Sequence, residues 1–201
     1  MSTIVRPATP LATDGRMTVD EFERFTDNRD EPFELIEGLM VPKVTKKPPH
    51  VTATENVRDE LLVLFRRPKW RVSTESPVRI PEYNEPEPDV MLVRGSTKKY
   101  EGRTPGPADL ALVVEVSYCS LVKDRKRIAI YGKADIPVYW IVNLDDQQVE
   151  VYTLKRRGGY GKARIFERGE SVPVDIDGVR GLIAVNDILP SPAPAAGGNG
   201  A

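Results

Sequence analysis

"ALVVEVSYCSLVKDRKRIAIY", residues 111–131, changes character halfway along. Its first part is a continuous run of aliphatic residues, the pattern of a strand covered on both faces. Its second part is polar and basic with interspersed apolar residues, which predicts a helix from about Val122 to Ala134, stopped by Pro137. Inside the strand sits a carboxylate, Glu115. Side chains alternate along LVVEVS, so Leu112, Val114 and Val116 share one face while Val113, Glu115 and Ser117 share the other. An ionised carboxylate buried without partners is costly, so Glu115 must be paired, protonated or metal-bound.

Working outward, PDVMLV (88–93) and VYWIVN (138–143) read as further buried strands, and VEVYTL (149–154) alternates in and out. Short strands are expected around RVSTESPVRI (71–80), and a β-rich end closes on a short helix at VNDIL. Upstream, MTVDEFERFTDN (17–28) has Thr18 as N-cap and an acidic first turn, so it reads as a short helix. FELIEGLMVPKV (33–44) reads as two strands meeting at Glu37-Gly38. Ala53, Val57, Leu61 and Leu64 recur at helical spacing, which predicts an amphipathic helix from His50 to Phe65 that ends before Pro68. The order gives an α/β or α+β domain with a mixed central sheet. Residues 1–16 and the Pro/Ala/Gly-rich stretch 190–201 read as flexible tails around one domain, 17–189.

Composition narrows the chemistry. With 201 residues and a formal net charge of -1, no global field draws the chain to an anionic membrane or to DNA. A local basic strip can still bind phosphate. One cysteine, Cys119, excludes a disulfide framework and a multi-cysteine zinc site, and one histidine, His50, excludes a His-rich metal site. The N-terminal stretch lacks the pattern of a secretory signal and no apolar run could span a membrane, so a cytoplasmic protein is expected. Neither a dinucleotide fingerprint nor a P-loop occurs, so no organic cofactor is expected.

Asp89 opens a strand like the one that holds Glu115. If the two strands are neighbours, their carboxylates converge, as a hard cation such as Mg²⁺ requires. The plainer alternatives are a Glu115–Arg125 ion pair and a strand-capping Asp89. The next helix adds Lys123, Arg125, Lys126, Arg127 and Lys133. Carboxylates holding a metal, with cations beside them, are the parts needed to cleave a phosphodiester.

The ordered set EPDVMLV, VVEVS, KDRKRIAIY, IPVYWIVNL and VEVY, with TVDEF, FELIEG, His50 and VNDILP, resembles the Uma-two family of restriction-endonuclease-like proteins, within the PD-(D/E)XK nuclease superfamily. The resemblance implies a restriction-endonuclease-like core with extra β-hairpins, and a Mg²⁺- or Mn²⁺-dependent endonuclease acting on DNA. By that likeness Asp89 and Glu115 are metal ligands, the backbone carbonyl of Val116 is a third, and Glu34 completes the site or holds a water. His50 orients Glu34 or a phosphate, or is a structural histidine. The superfamily's lysine position is Ser117 here, and the family draws its lysine from the following helix. In this chain Asp124 and Tyr131 stand one position closer than in that pattern. The cation is then Lys126, or its slot holds Arg127; a helical wheel with Leu121, Val122, Ile128 and Ala129 inward puts Lys126 at the border, Arg127 outward and Arg125 inward, and favours Lys126. The shortened spacing also supports an alternative, a silent nucleic-acid-binding or protein-interaction module that keeps the fold. Hydrolysis of another phosphate ester is a third possibility.

Among the remaining features, DIDG (175–178) reads as a turn, Cys119 as inert, and Trp70, Tyr139 and Trp140 as core. KVTKK (43–47) and LKRR (154–157) read as solvated basic loops, or as walls of a DNA groove. The resemblance also implies a homodimer, for which VYWIVN and its hairpin offer a contact if core burial does not already explain them.

Overall fold

The computed structural model describes residues 15–26, 33–156 and 159–191. The outer parts of both expected tails, residues 1–14 and 192–201, lie outside the described residues, as do Asp27, Asn28 and Arg157. The ordered body starts earlier than expected, because the Arg16 guanidinium stacks 3.9 Å over the Tyr83 ring. It also runs past 189, where the Pro190 carbonyl accepts a hydrogen bond from Arg168.

Thr18 and Glu21 form a reciprocal cap, with Thr18 N–H donating to Glu21 and Glu21 N–H to the Thr18 hydroxyl, and α1 follows over Val19–Thr26. Strands β1 (Phe33–Ile36) and β2 (Leu39–Pro42) form an antiparallel hairpin. Glu37 and Gly38 both take positive φ, 53° and 83°, which a two-residue hairpin turn of this twist requires. Helix α2 (Pro48–Leu64) buries Ala53, Val57 and Leu61.

The main sheet contains β3 (Trp70–Thr74), β4 (Val90–Arg94), β5 (Leu110–Ser117), β6 (Val138–Asn143), β7 (Gln148–Arg156) and β8 (Gly159–Tyr160), paired in that order. A further strand, β9 (Arg164–Glu167), also pairs with β7. Among the described residues only β5 and β6 run parallel, because the chain between them crosses over through α3 (Leu121–Lys133). The hairpin of β10 (Ser171–Ile176) and β11 (Val179–Ala184) leads into α4 (Val185–Ile188), and Asp177-Gly178 of the DIDG segment makes its turn.

Three layers result. One face of the sheet presents Val90, Leu92, Leu112, Val114, Val116, Trp140 and Val142 to α2, α4 and the β10–β11 hairpin. The other presents Met91, Val113, Tyr139, Ile141 and Tyr152 to α3. From Leu112 onward β5 keeps the expected alternation, which turns Glu115 toward α3. An irregularity in the β4–β5 pairing after Leu92 absorbs the extra residue Ala111.

One expectation is corrected here. β7 does not alternate between core and solvent at its start, since Val149 to Tyr152 are all buried between α3 and the layer opposite. The VYWIVN segment is β6, hydrogen-bonded on both sides with Tyr139 to Asn143 buried, so of its two readings core burial accounts for it.

Candidate active site

Asp89 and Glu115 meet because their strands are antiparallel neighbours. Val90 pairs with Val114, so the residue before β4 stands beside Glu115 near the end of β5. The Val116 N–H donates to Asp89 Oδ2 at 2.7 Å, which fixes that carboxylate against the strand that carries Glu115. Both acids are buried, with 5% and 4% exposure. They line a cleft of about 790 Å³ together with Glu34, Lys43, Lys46, Lys47, His50 and Lys123.

The floor of the cleft is an ion cluster. Arg127, only 4% exposed, donates to Glu115 Oε1 at 2.5 Å and to Glu34 Oε2 at 2.6 Å. Tyr131 donates its hydroxyl to the same Glu115 oxygen at 2.8 Å. Tyr131 sits one helical turn after Arg127, so the two project from the same face of α3. Tyr139, below Tyr131 in the core, donates to the Asp124 carbonyl at 3.0 Å and fixes the height of α3 over the sheet. Glu34 is held from its other side by the Glu87 N–H at 2.9 Å.

The two central acids behave differently. Burial pushes the Glu115 carboxyl up to about 8, and the nearby Asp89, Asp124 and Glu34 push the same way against the Arg127 guanidinium. Burial also works against ionised Asp89, but the hydrogen bond and charge of His50 and the charge of Lys46 prevail and hold it below its ordinary value. Burial would likewise lower Arg127, yet Glu115, Tyr131 and Glu34 hold it far above its ordinary value, so it stays charged.

The helical wheel has to be corrected. α3 turns Asp124, Arg127, Ile130 and Tyr131 inward, while Val122 is 74% exposed and Ala129 also faces out. Lys126, expected at the site, is exposed and is absent from the cleft lining. Arg127, expected to point away, is the buried cation. Arg125 pairs with Glu150 at 2.6 Å rather than with Glu115. The missed signal is the four-residue step from Arg127 to Tyr131. A wheel anchored on the apolar Val122 and Ala129 chose the wrong side, because the inner face of α3 is largely polar.

His50 reaches the cleft from the first turn of α2, but its Nε2 lies 3.2 Å from Asp89 Oδ2 and it does not orient Glu34. The KVTKK loop, expected to be solvated or to wall a groove, does line the cleft. Lys43 pairs with Glu87, Lys46 contacts Asp89 Oδ1 at 2.5 Å and Glu75 at 2.8 Å, and Lys47 lies 5.8 Å from the Tyr118 ring centre. Cys119 is exposed and takes a positive φ of 62° in the turn between β5 and α3.

Among the described residues no group of three or more His, Cys, Asp or Glu is arranged to hold a metal ion. What the cleft offers is two neighbouring carboxylates, Asp89 and Glu115, with the main chain of Val116 beside them. Oxygen donors in this number suit Mg²⁺ or Mn²⁺, since Mg²⁺ keeps several waters and takes one or two carboxylates from the protein. The donor set fits such an ion.

A mixed sheet flanked by helices, with paired acids at the ends of adjacent central strands, defines a restriction-endonuclease-like α+β protein. The solved structure of a protein described as "a putative nuclease belonging to DUF820", from Anabaena variabilis, shares this fold with a TM-score of 0.66. It is 19% identical, and the match covers 86% of this chain and 97% of that one. Residues 19–184 match the model of the Uma2 family, described as "Putative restriction endonuclease", and the chain belongs to that family. A comparison with curated proteins yields no match. Among the described residues no helix is long and apolar enough to cross a membrane.

Proposed function

We propose that this protein is a metal-dependent endonuclease that hydrolyses DNA phosphodiester bonds. The observation that carries the reading is the convergence of Asp89 and Glu115 in one lysine-rimmed cleft, above a buried arginine. Asp89, Glu115 and the Val116 carbonyl would hold Mg²⁺ or Mn²⁺. When bound, such an ion polarises a phosphoryl oxygen and lowers the pKa of water. The chain's own residues do the rest. Lys43, Lys47 and Lys123 rim the cleft and neutralise backbone phosphates. Arg127 keeps its proton at any working pH, so its part is electrostatic: it fixes Glu115 and Glu34 in place and cannot act as a general base. Tyr131 fixes the same Glu115 oxygen, which leaves Oε2 as the Glu115 oxygen available to a ligand.

The silent-module reading keeps one specific observation in its favour. Ser117 and Arg127 stand where the catalytic lysine would be expected, and an arginine cannot take a proton from water as a lysine could.

The deciding experiment incubates the protein and its Glu115→Ala variant with supercoiled, linear and single-stranded DNA in Mg²⁺, Mn²⁺ or EDTA. Cutting that requires metal and vanishes in the variant is the expected result. Absence of cutting on every substrate, together with binding of DNA, would replace the nuclease with a binding module.

A further inference from the structure

Among the described residues, three basic side chains meet Asp89 or Glu115, and of these Lys46 alone sits on a loop with a partly exposed side chain. Arg127 is buried between two carboxylates. His50 is fixed on α2 and faces Asp89 Oδ2, the oxygen that also accepts the Val116 N–H. Lys46 lies on the loop between β2 and α2, and its side chain retains 29% exposure. Its ammonium bridges Asp89 Oδ1 at 2.5 Å and Glu75 Oε1 at 2.8 Å. The Glu75 side chain is 54% exposed, so one anchor of the bridge lies in the cleft and the other at its rim.

An ammonium and a divalent ion cannot both occupy one face of a carboxylate oxygen. Without either, a buried Asp89 would keep only His50 and the Val116 N–H to offset its burial. We infer that Lys46 is the resident counter-cation of Asp89: it closes the metal position until a divalent ion displaces it, then pivots on Glu75 to meet an incoming phosphate. The inference rests on the reading of Asp89 and Glu115 as the ligand pair. Lysine suits the task because its charge sits on a flexible four-carbon stem with donors that rotate freely. Exchange of the ammonium for the metal keeps the acids compensated throughout, and the released charge reappears at the rim where the DNA backbone arrives.

The test needs no catalysis. Mn²⁺ binding to the full chain is measured by titration calorimetry for the wild type, Lys46→Met, Lys46→Arg and Asp89→Asn, with circular dichroism to confirm folding. Lys46→Met should bind Mn²⁺ about tenfold more tightly than the wild type, as expected when a coupled competitor is removed. Lys46→Arg should stay near the wild type, and Asp89→Asn should lose binding. In Ca²⁺, anisotropy titrations with a labelled DNA duplex should show weaker binding by Lys46→Met, with a salt dependence shallower by about one phosphate contact. Unchanged or weaker Mn²⁺ affinity in a folded Lys46→Met protein would overturn the inference and leave the ligand pair standing. No Mn²⁺ binding by either the wild type or Lys46→Met would overturn both.

Discussion

Removal of the Arg127 charge is the sharpest test of how the cleft is held together. Arg127 contacts Glu115 and Glu34 at 2.5 Å and 2.6 Å and is 4% exposed. With charge centres about 4 Å apart and an effective dielectric constant near 20, the Glu34 contact is worth about 4 kcal/mol before desolvation, and the Glu115 contact reaches that only when its raised carboxyl is ionised. Stripping water from the guanidinium offsets most of that gain. The measurable quantity is the cost of deleting one partner, which for buried pairs is about 3–5 kcal/mol. Arg127→Met should therefore lose about 3–5 kcal/mol in equilibrium urea denaturation. Glu115→Gln should lose less, because Arg127 keeps Glu34. The double variant should lose clearly less than the sum, with a coupling of about 1–3 kcal/mol. Arg127→Lys should fall between wild type and Met, since one ammonium lacks the planar fork that spans both acids. A loss below about 1 kcal/mol for Arg127→Met, or additive losses in the cycle, would refute the picture of Arg127 as the keystone of the cluster.

Glu85 should make stability fall as pH rises. Burial, followed by the charge and hydrogen bond of Glu23, pushes its carboxyl from 4.5 up to about 7, against Arg79. A carboxyl whose folded pKa is raised contributes stability that is fully present below the unfolded value and is lost as pH rises through the folded one. The window is therefore about pH 4.5 to 7, and the amount is at most about 3 kcal/mol. Urea titrations at pH 5 and 7.5 should show that decline in the wild type and a flatter profile in Glu85→Gln. Gly38→Ala should cost about 1–2 kcal/mol by the same measurement. Its φ of 83° strains an L residue, and an added Cβ would stand 2.6 Å from the Arg16 Cβ. Tyr131→Phe should cost about 1–3 kcal/mol, because the Glu115 oxygen loses a buried donor. A thermal or urea transition unchanged from wild type would contradict either reading.

Much of this architecture is readable in the chain itself. Runs such as PDVMLV and LALVVEV are too apolar for anything but central strands. The Pro137 stop and the Thr18 cap mark helix ends, and strict alternation from Leu112 places Glu115 on one face of β5. These features are local: they depend on the period of a strand or helix and on the chemistry of single residues, so sequence alone determined them. Sequence also singles out Asp89 and Glu115 as acids that converge if their strands are neighbours, a condition that only the β4–β5 pairing meets.

What local pattern could not supply is which cation each acid meets. α3 buries a face made of Asp124, Arg127 and Tyr131 because the sheet beneath it presents Glu115 in place of an aliphatic residue, so hydropathy pointed the wheel the wrong way. Lys46 and His50 reach Asp89 only because α2 and the loop before it cross the end of β4, a meeting of segments some forty residues apart. Burial works against ionisation of both acids, and it is His50 and Lys46 that hold Asp89 below its ordinary value while Glu115 is raised. Period and composition fix where a side chain points on its own element. Desolvation and ion pairing depend on what the rest of the chain packs against it, and only the tertiary structure decided that.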